Sequence, residues 1–257
     1  MRTPKIGLAL SGGFVLGIAH LGVIKVLEEE GIPIHCVAGT SAGSLVGAFL
    51  AAGFHFAELW EISSVLSWAS ISGPAVPTKG LLGSQNLERF LDKHLGAREI
   101  EELELPYAAV AVDLTRGREV TFTTGPLARA IRASCAVPGI FTPVEEAEAL
   151  YVDGGLKRQL PVQAARDLGA DVVIGVNLIP SLLKQRRPRN MLEILVASFE
   201  LMVAHIAELE PKGDINILPD LKGLNSFQMS QAEELVRRGE AAARESLDAL
   251  AKLAPLT

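Results

Sequence analysis

The chain has 257 residues, 49% of them hydrophobic and 21% charged, with a formal net charge of -6. That balance suits a globular chain with a sizeable buried core, and it excludes disorder, collagen-like repeats and a small disulfide scaffold. The acidic charge provides no overall field to hold nucleic acid, so no nucleic-acid partner is expected.

In chain order, residues 5–10 read as a buried strand, followed by a glycine-rich bend at Gly12 and Gly13 and a helix over 18–30 that Gly31-Ile32-Pro33 stops. A second buried strand over 34–38, a tight turn over 39–43 and an apolar helix over 44–52 complete a strand-helix-strand-helix order, the signature of a parallel sheet. Residues 66–82 have little periodicity and suit either an irregular cover over an apolar site or a packed loop. Helices are predicted at 85–94, 127–134, 162–168, 191–208 and 230–253, with strands at 107–114, 120–123, 150–152, 171–178 and 214–218. Thr115-Arg116-Gly117 predicts a hairpin, so part of the sheet is antiparallel. No linker divides the chain, and residues 1–257 are expected to form a single domain.

The start of the chain offers too short an apolar run for a secretory signal, and cytoplasmic residence is the default expectation. The most apolar long segment, 191–209, carries Glu193, Glu200, His205 and Glu208, which argues for a core helix over a bilayer span. Cys36 and Cys135 lie in apolar surroundings that suit small core side chains. One dense basic run, Lys184-Gln185-Arg186-Arg187-Pro188-Arg189, follows Leu182-Leu183 and reads either as a solvated loop or as a weak hold on an anionic lipid surface.

Gly39-Thr40-Ser41-Ala42-Gly43 matches the G-x-S-x-G elbow, in which Gly39 and Gly43 clear space around a serine on a sharp strand-to-helix turn. The strand before it and the apolar helix after it supply the context that pattern requires. Ser11-Gly12-Gly13 follows the first strand and opens a helix at Gly17, so backbone N–H groups there would point at one anionic oxygen; the alternative is a purely structural tight turn. Nucleotide readings of the bend fail: Phe14 stands where a dinucleotide motif needs glycine, and Ile18-Ala19 where a P-loop needs lysine and a hydroxyl residue. For a base, Asp153 ends a short strand before Gly154-Gly155, and only His205 follows it in the order of a serine triad. His205 lies within a predicted helix, whereas a triad histidine normally comes from a loop after a strand.

These blocks together resemble the patatin-like phospholipase family, in particular its small bacterial single-domain members. The likeness rests on Leu10-Ser11-Gly12-Gly13 with Gly17 and Ala19-His20-Leu21-Gly22-Val23, on the elbow with Ser44, and on Asp113-Leu114 with Gly117. It continues through Ile131-Arg132-Ala133-Ser134, Val137 to Val144, and Val152-Asp153-Gly154-Gly155 with Pro161-Val162, with weaker echoes at 216–220 and Gly239. The resemblance implies a three-layer α/β/α fold with a central, mostly parallel sheet. It further implies a serine hydrolase acting on lipid or fatty-acyl esters with Ser41 as nucleophile and Asp153 as base, Gly12, Gly13 and Phe14 as oxyanion loop, and no metal or organic cofactor.

Two departures stand out. Phe14 replaces the third glycine of the family's loop and Leu16 its basic residue, and Leu156-Lys157-Arg158-Gln159 lacks an asparagine often seen in relatives. A Cβ at position 14 disfavours a positive φ, which predicts weakened hydrolysis or a lipid-binding role without turnover. The alternative is a loop repacked so that Phe14 and Leu16 line an acyl pocket.

Overall fold

The computed structural model describes residues 4–76, 78–179 and 187–251. Its strands are β1 (Ile6–Leu10), β2 (Cys36–Thr40), β3 (Gly80–Leu82), β4 (Tyr107–Asp113), β5 (Arg118–Phe122), β6 (Gly139–Phe141), β7 (Val144–Glu146), β8 (Ala149–Asp153), β9 (Val172–Val176) and β10 (Ile215–Ile217). The helices are α1 (Ala19–Glu29), α2 (Ala42–Ala51), α3 (Phe56–Val65), α4 (Trp68–Ile71), α5 (Gln85–Leu95), α6 (Leu127–Ser134), α7 (Val162–Asp167), α8 (Met191–Leu209), α9 (Ala232–Glu245) and α10 (Leu247–Leu250). A 3₁₀ turn over Phe14–Ile18 leads into α1, so the first helix starts as a tighter coil than its apolar run predicts.

β10, β9, β1, β2 and β4 pair in that order, all parallel. β5, β8 and β7 extend the sheet antiparallel, and the turn predicted over residues 115–117 does join β4 to β5. Period-2 alternation divides the strands between two faces. Leu8, Leu10, Val37, Tyr107, Ala109, Ile174 and Val176 belong to the large core shared with α1, α2, α5, α6 and α9, while Ala9, Ala38, Ala108, Val110 and Val173 pack against α7. The result is the expected three-layer α/β/α arrangement around a mostly parallel sheet.

One topological detail positions the site. β4 pairs with β5 over Ala109–Asp113, which occupies one edge, so β2 and β8 must share the other. Parallel β2 leaves that edge at Thr40, opposite Val110, and antiparallel β8 reaches it at Asp153, opposite Ala111. The residue after β2 and the last residue of β8 therefore meet end to end, in a sheet whose order changes there, where α/β folds place ligand sites.

Other expectations change. The second strand, expected over 34–38, runs over Cys36–Thr40. Residues 66–82 contain α4 and β3, which pairs with β6 in a two-stranded ribbon; three-residue strands are too short to show a period. The final helix breaks at Ser246 into α9 and α10. α8 is not a core helix: it lies on the surface and buries only the stripe that includes Phe199, Glu200, Val203 and Ala204.

Candidate active site

Ser41 sits between β2 and α2 with φ 52° and ψ -125°, a positive φ that costs a non-glycine residue on the order of 1–3 kcal/mol. Several bonds hold it there. Its N–H donates to Ser134 Oγ at 2.9 Å, and Ser134 Oγ donates to the Val110 carbonyl at 2.6 Å. Its carbonyl accepts from Ser44 N–H at 2.8 Å and Ser44 Oγ at 2.7 Å, and the Tyr107 hydroxyl donates to the Ser44 carbonyl at 2.7 Å. The elbow glycines are steric necessities: a Cβ on Gly39 would come within 2.4 Å of the Gly43 carbonyl oxygen, and one on Gly43 within 2.3 Å of the Leu10 carbonyl oxygen.

Asp153 is buried at the end of β8, its N–H donating to the Ala136 carbonyl at 2.9 Å. Gly155 N–H donates to Oδ1 at 2.8 Å, whereas Oδ2 is buried without a hydrogen-bond partner. The Ser41 hydroxyl stands beside this carboxyl, near enough to favour its charged form, without completing a bond to Oδ2. Burial dominates and pushes the Asp153 pKa up to about 7, against the opposing pull of the Ser41 hydroxyl and Gly155 N–H. A carboxylate so tuned can take up a proton near neutral pH.

The Gly12-Gly13-Phe14 bend faces the same point. Gly12, Gly13, Phe14, Ser41, Asp153 and Gln159 all line one small recess of about 10 Å³. The carbonyl of Ser11 accepts from buried His20 Nε2 at 2.9 Å, and that of Gly12 accepts from Ser11 Oγ at 3.1 Å. Because N–H and C=O of a trans peptide point in opposite directions, these two bonds orient the Gly12 and Gly13 N–H groups away from their carbonyls' partners. The N–H groups of Gly12, Gly13 and Phe14 have no acceptor among the described residues. Burial lowers the His20 pKa to about 4, so at neutral pH the ring is uncharged with its proton on Nε2.

Phe14 adopts φ 53°, the left-handed conformation that its side chain was expected to resist. Its ring packs on Phe227 at 4.9 Å and edge-on to Phe199 at 6.3 Å between centroids, and Phe227 in turn stacks on Trp68, whose Nε1 donates to the Phe227 carbonyl. Aromatic packing thus holds the loop in the shape a glycine would take freely. Phe14 lines an apolar cavity of about 100 Å³ beside Ser41, together with Leu45, Leu66, Trp68, Ile71 and Phe141. Residues 66–71 are therefore a cover over this cavity. Leu16 is fully buried in the core and does not line it, so only half of the repacked-loop reading holds.

The remaining sequence candidates separate cleanly. Gln159 is buried between the two glycine turns: a Cβ on Gly12 would meet its Nε2 at 2.9 Å, and one on Gly155 its Oε1 at 2.6 Å. His205 is exposed on α8 and lines neither recess at Ser41. Cys36 is buried, while Cys135 lines the apolar cavity, where burial pushes its thiol pKa up. Of the basic run, Lys184, Gln185 and Arg186 lie outside the described residues, as do Leu182 and Leu183; Arg187 and Arg189 are exposed just before α8. Sequence reasoning assigned no role to Ser134, His20 or Gln159. The first two lie in family-like blocks, and nothing in their local pattern indicates that they brace the elbow and the loop.

A mostly parallel α/β/α sheet with a strained elbow serine facing a buried aspartate and a glycine bend defines a class of candidate hydrolase. Residues 8–166 match the family model described as patatin-like phospholipase, and the chain belongs to that family. Uncharacterised NTE family proteins of Mycobacterium bovis and Mycobacterium tuberculosis are 38% identical over 181 residues, covering 68% of this chain and 49% of theirs. The chain thus spans about half the length of these relatives. A lysophospholipase of Yarrowia lipolytica is 32% identical over 179 residues, 67% of this chain and 12% of that protein. Among solved structures, VipD from Legionella pneumophila superposes with a TM-score of 0.56 at 14% identity, covering 96% of this chain and 67% of VipD. ExoU, in its complex with SpcU from the type III secretion system of Pseudomonas aeruginosa, gives 0.54 at 16%, covering 98% and 52%. These two likenesses are of fold.

Proposed function

We propose that this protein hydrolyses fatty-acyl esters of lipids with a Ser41–Asp153 dyad. The observation that carries the reading is the buried Asp153 Oδ2, without a partner, beside a serine hydroxyl held at an apolar cavity. The first carbons of the acyl chain enter that cavity, and the ester carbonyl oxygen lies in the recess before the Gly12, Gly13 and Phe14 N–H groups. Ser41 Oγ attacks the carbonyl carbon as Asp153 takes the hydroxyl proton, and the oxyanion accepts from the loop. Collapse of the tetrahedral adduct expels the alcohol, which receives the proton from Asp153 and leaves an acyl-serine. Water, deprotonated by the same carboxylate, then releases the fatty acid and restores the serine. The family model, described as patatin-like phospholipase, and the Yarrowia relative, named a lysophospholipase, support the lipid class. Exposed Arg187 favours contact with an anionic membrane surface, where an exposed cation contributes about 1 kcal/mol before salt screening, whereas Arg189 is already paired with Glu193 at 3.4 Å.

The test is active-site labelling. A fluorophosphonate should modify Ser41 alone, and Ser41→Ala should lose both the adduct and esterase activity. Labelling at another serine, or activity retained by pure Ser41→Ala protein, overturns the assignment.

A further inference from the structure

α8 is apolar on both sides. Its inner stripe packs Phe199, Val203 and Ala204 into the protein, yet Met191, Leu192, Ile194, Leu195, Leu201 and Met202 are exposed, from 38% at Leu195 to 80% at Met191. At 100° per residue, Ile194, Leu201, Met191, Met202 and Leu195 form one continuous outer arc, interrupted only by Ser198, His205 and the carboxylate of Glu208. An ordinary surface helix turns its polar residues outward, and a contiguous exposed apolar patch of this kind marks an interaction surface. Among the described residues no helix is long and apolar enough to cross a membrane, so α8 does not span one.

The arc continues to the mouth of the candidate active site. Leu195 abuts β6, where a Cβ on Gly139 would lie 2.4 Å from its Cδ2. β6 pairs with β3, whose Leu81 is also exposed, and β6 ends at Phe141, which walls the apolar cavity and stacks on Trp68. On its inner side α8 contributes Phe199, Glu200 and Val203 to the recess that holds Ser41 and Asp153. One helix therefore presents apolar residues to solvent and lines the site with its opposite face. At its N-terminal end stand Arg187 and Arg189, both exposed, in a chain whose net charge is -6; the Arg189 guanidinium pairs with Glu193 at 3.4 Å, which leaves Arg187 as the cation offered to solvent.

We propose that the outer face of α8 is a lipid-docking surface, lying in the headgroup and upper acyl region of an anionic bilayer so that the mouth of the Ser41 cavity opens against it. Apolar residues on one side, a cation at one end and few charges between are the features of an interfacial helix; Arg187 complements anionic headgroups, and Arg189 can do so by exchanging its pair with Glu193 for a headgroup. The role of the docking in delivering substrate rests on the acyl-hydrolase reading; the docking itself is measurable without turnover. It also differs from a purely electrostatic hold by the arginines, because burial of apolar side chains survives salt.

The experiment uses the 257-residue chain carrying Ser41→Ala and cosedimentation with vesicles of phosphatidylcholine, with and without phosphatidylglycerol, at low and high salt. Expected are stronger binding to the anionic vesicles at low salt and a salt-resistant fraction on both. Changing Ile194, Leu201 and Met202 together to Gln should lower partitioning at least about tenfold, with the thermal midpoint unchanged because all three are exposed. A Leu201→Trp variant provides an independent measure: its emission should be quenched by lipids with brominated acyl chains. Vesicle binding that high salt abolishes, binding unaffected by the triple change, or absence of quenching overturns the proposal. A dimer in light scattering that the triple change dissociates, without vesicle binding, would assign the face to a second copy and overturn it too. Failure of the hydrolase reading is seen separately, as an unlabelled Ser41 in native protein that still docks.

Discussion

At the scale of single residues, the site depends on how Asp153 holds its proton. Burial pushes its pKa from 3.8 to about 7, so the basic, ionised form gains population as pH rises through neutrality. Esterase turnover and fluorophosphonate labelling should both increase with pH and level off above about 7. The same shift costs stability. The protonated carboxyl favours the folded state fully below 3.8, and that contribution is lost progressively as pH rises to about 7. Asp153→Asn should therefore reduce turnover on the order of 10²–10⁴-fold, since the amide takes up no proton. It should also raise stability above neutral pH by on the order of a few kcal/mol, an advantage absent in acid. Melting curves across that pH range check this; a variant destabilised at every pH would mean that the carboxyl is structural.

At the scale of elements, glycine sets how closely α1 and α9 cross. A Cβ on Gly239 would lie 1.9 Å from the Ala19 carbonyl oxygen, and one on Gly22 would lie 2.0 Å from that of Val236. Backbone is on both sides of the contact, so no side-chain rotation relieves a clash. α1 follows directly from the 3₁₀ turn over Phe14–Ile18, so parting the helices also disturbs the loop facing Ser41. Gly239→Ala should destabilise the fold by about 1–3 kcal/mol or more, despite the higher helix propensity of alanine. Chemical denaturation measures the loss, and a neutral or stabilising result would mean that the crossing is looser than these distances. Phe14 works through a comparable bracing, with rings of α4, α8 and residue 227 holding its positive φ.

At the scale of the whole molecule, the apolar cavity is assembled from distant parts of the chain: the turn before α1, α2, α4, α5, residues 135–141 and Met229. Its volume of about 100 Å³ is below the ~150 Å³ engineered cavity that accepts benzene. Water-soluble esters of short acids should therefore be turned over faster than those of longer acids. Trp68→Ala removes the largest side chain of the cover and should shift kcat/KM toward octanoate over butyrate esters by about tenfold, within the range expected for a few methylenes gaining a pocket. Equal loss on both esters would mean that Trp68 serves the fold through Phe141 and Phe227, with no part in chain-length selection.

Much of this arrangement is legible in the amino-acid sequence. The alternation of buried strands and apolar helices specifies a parallel sheet because each local period requires one face or stripe to be buried. The elbow from Gly39 to Gly43, the Gly12-Gly13 bend and Asp153 before two glycines stand out because their local backbone demands particular residues. Other features depend on contacts between segments far apart in the chain, which no local pattern encodes. The shared edge of β4 brings Thr40 and Asp153 to adjacent registers, Ser134 braces Ser41 from 93 residues away, and the rings of Phe199 on α8 and Phe227 let Phe14 stand in for glycine. α8 shows the limit most directly. Its composition suits a core helix equally well, and only the packing of the sheet and its neighbours decides that one of its apolar faces is left open to solvent.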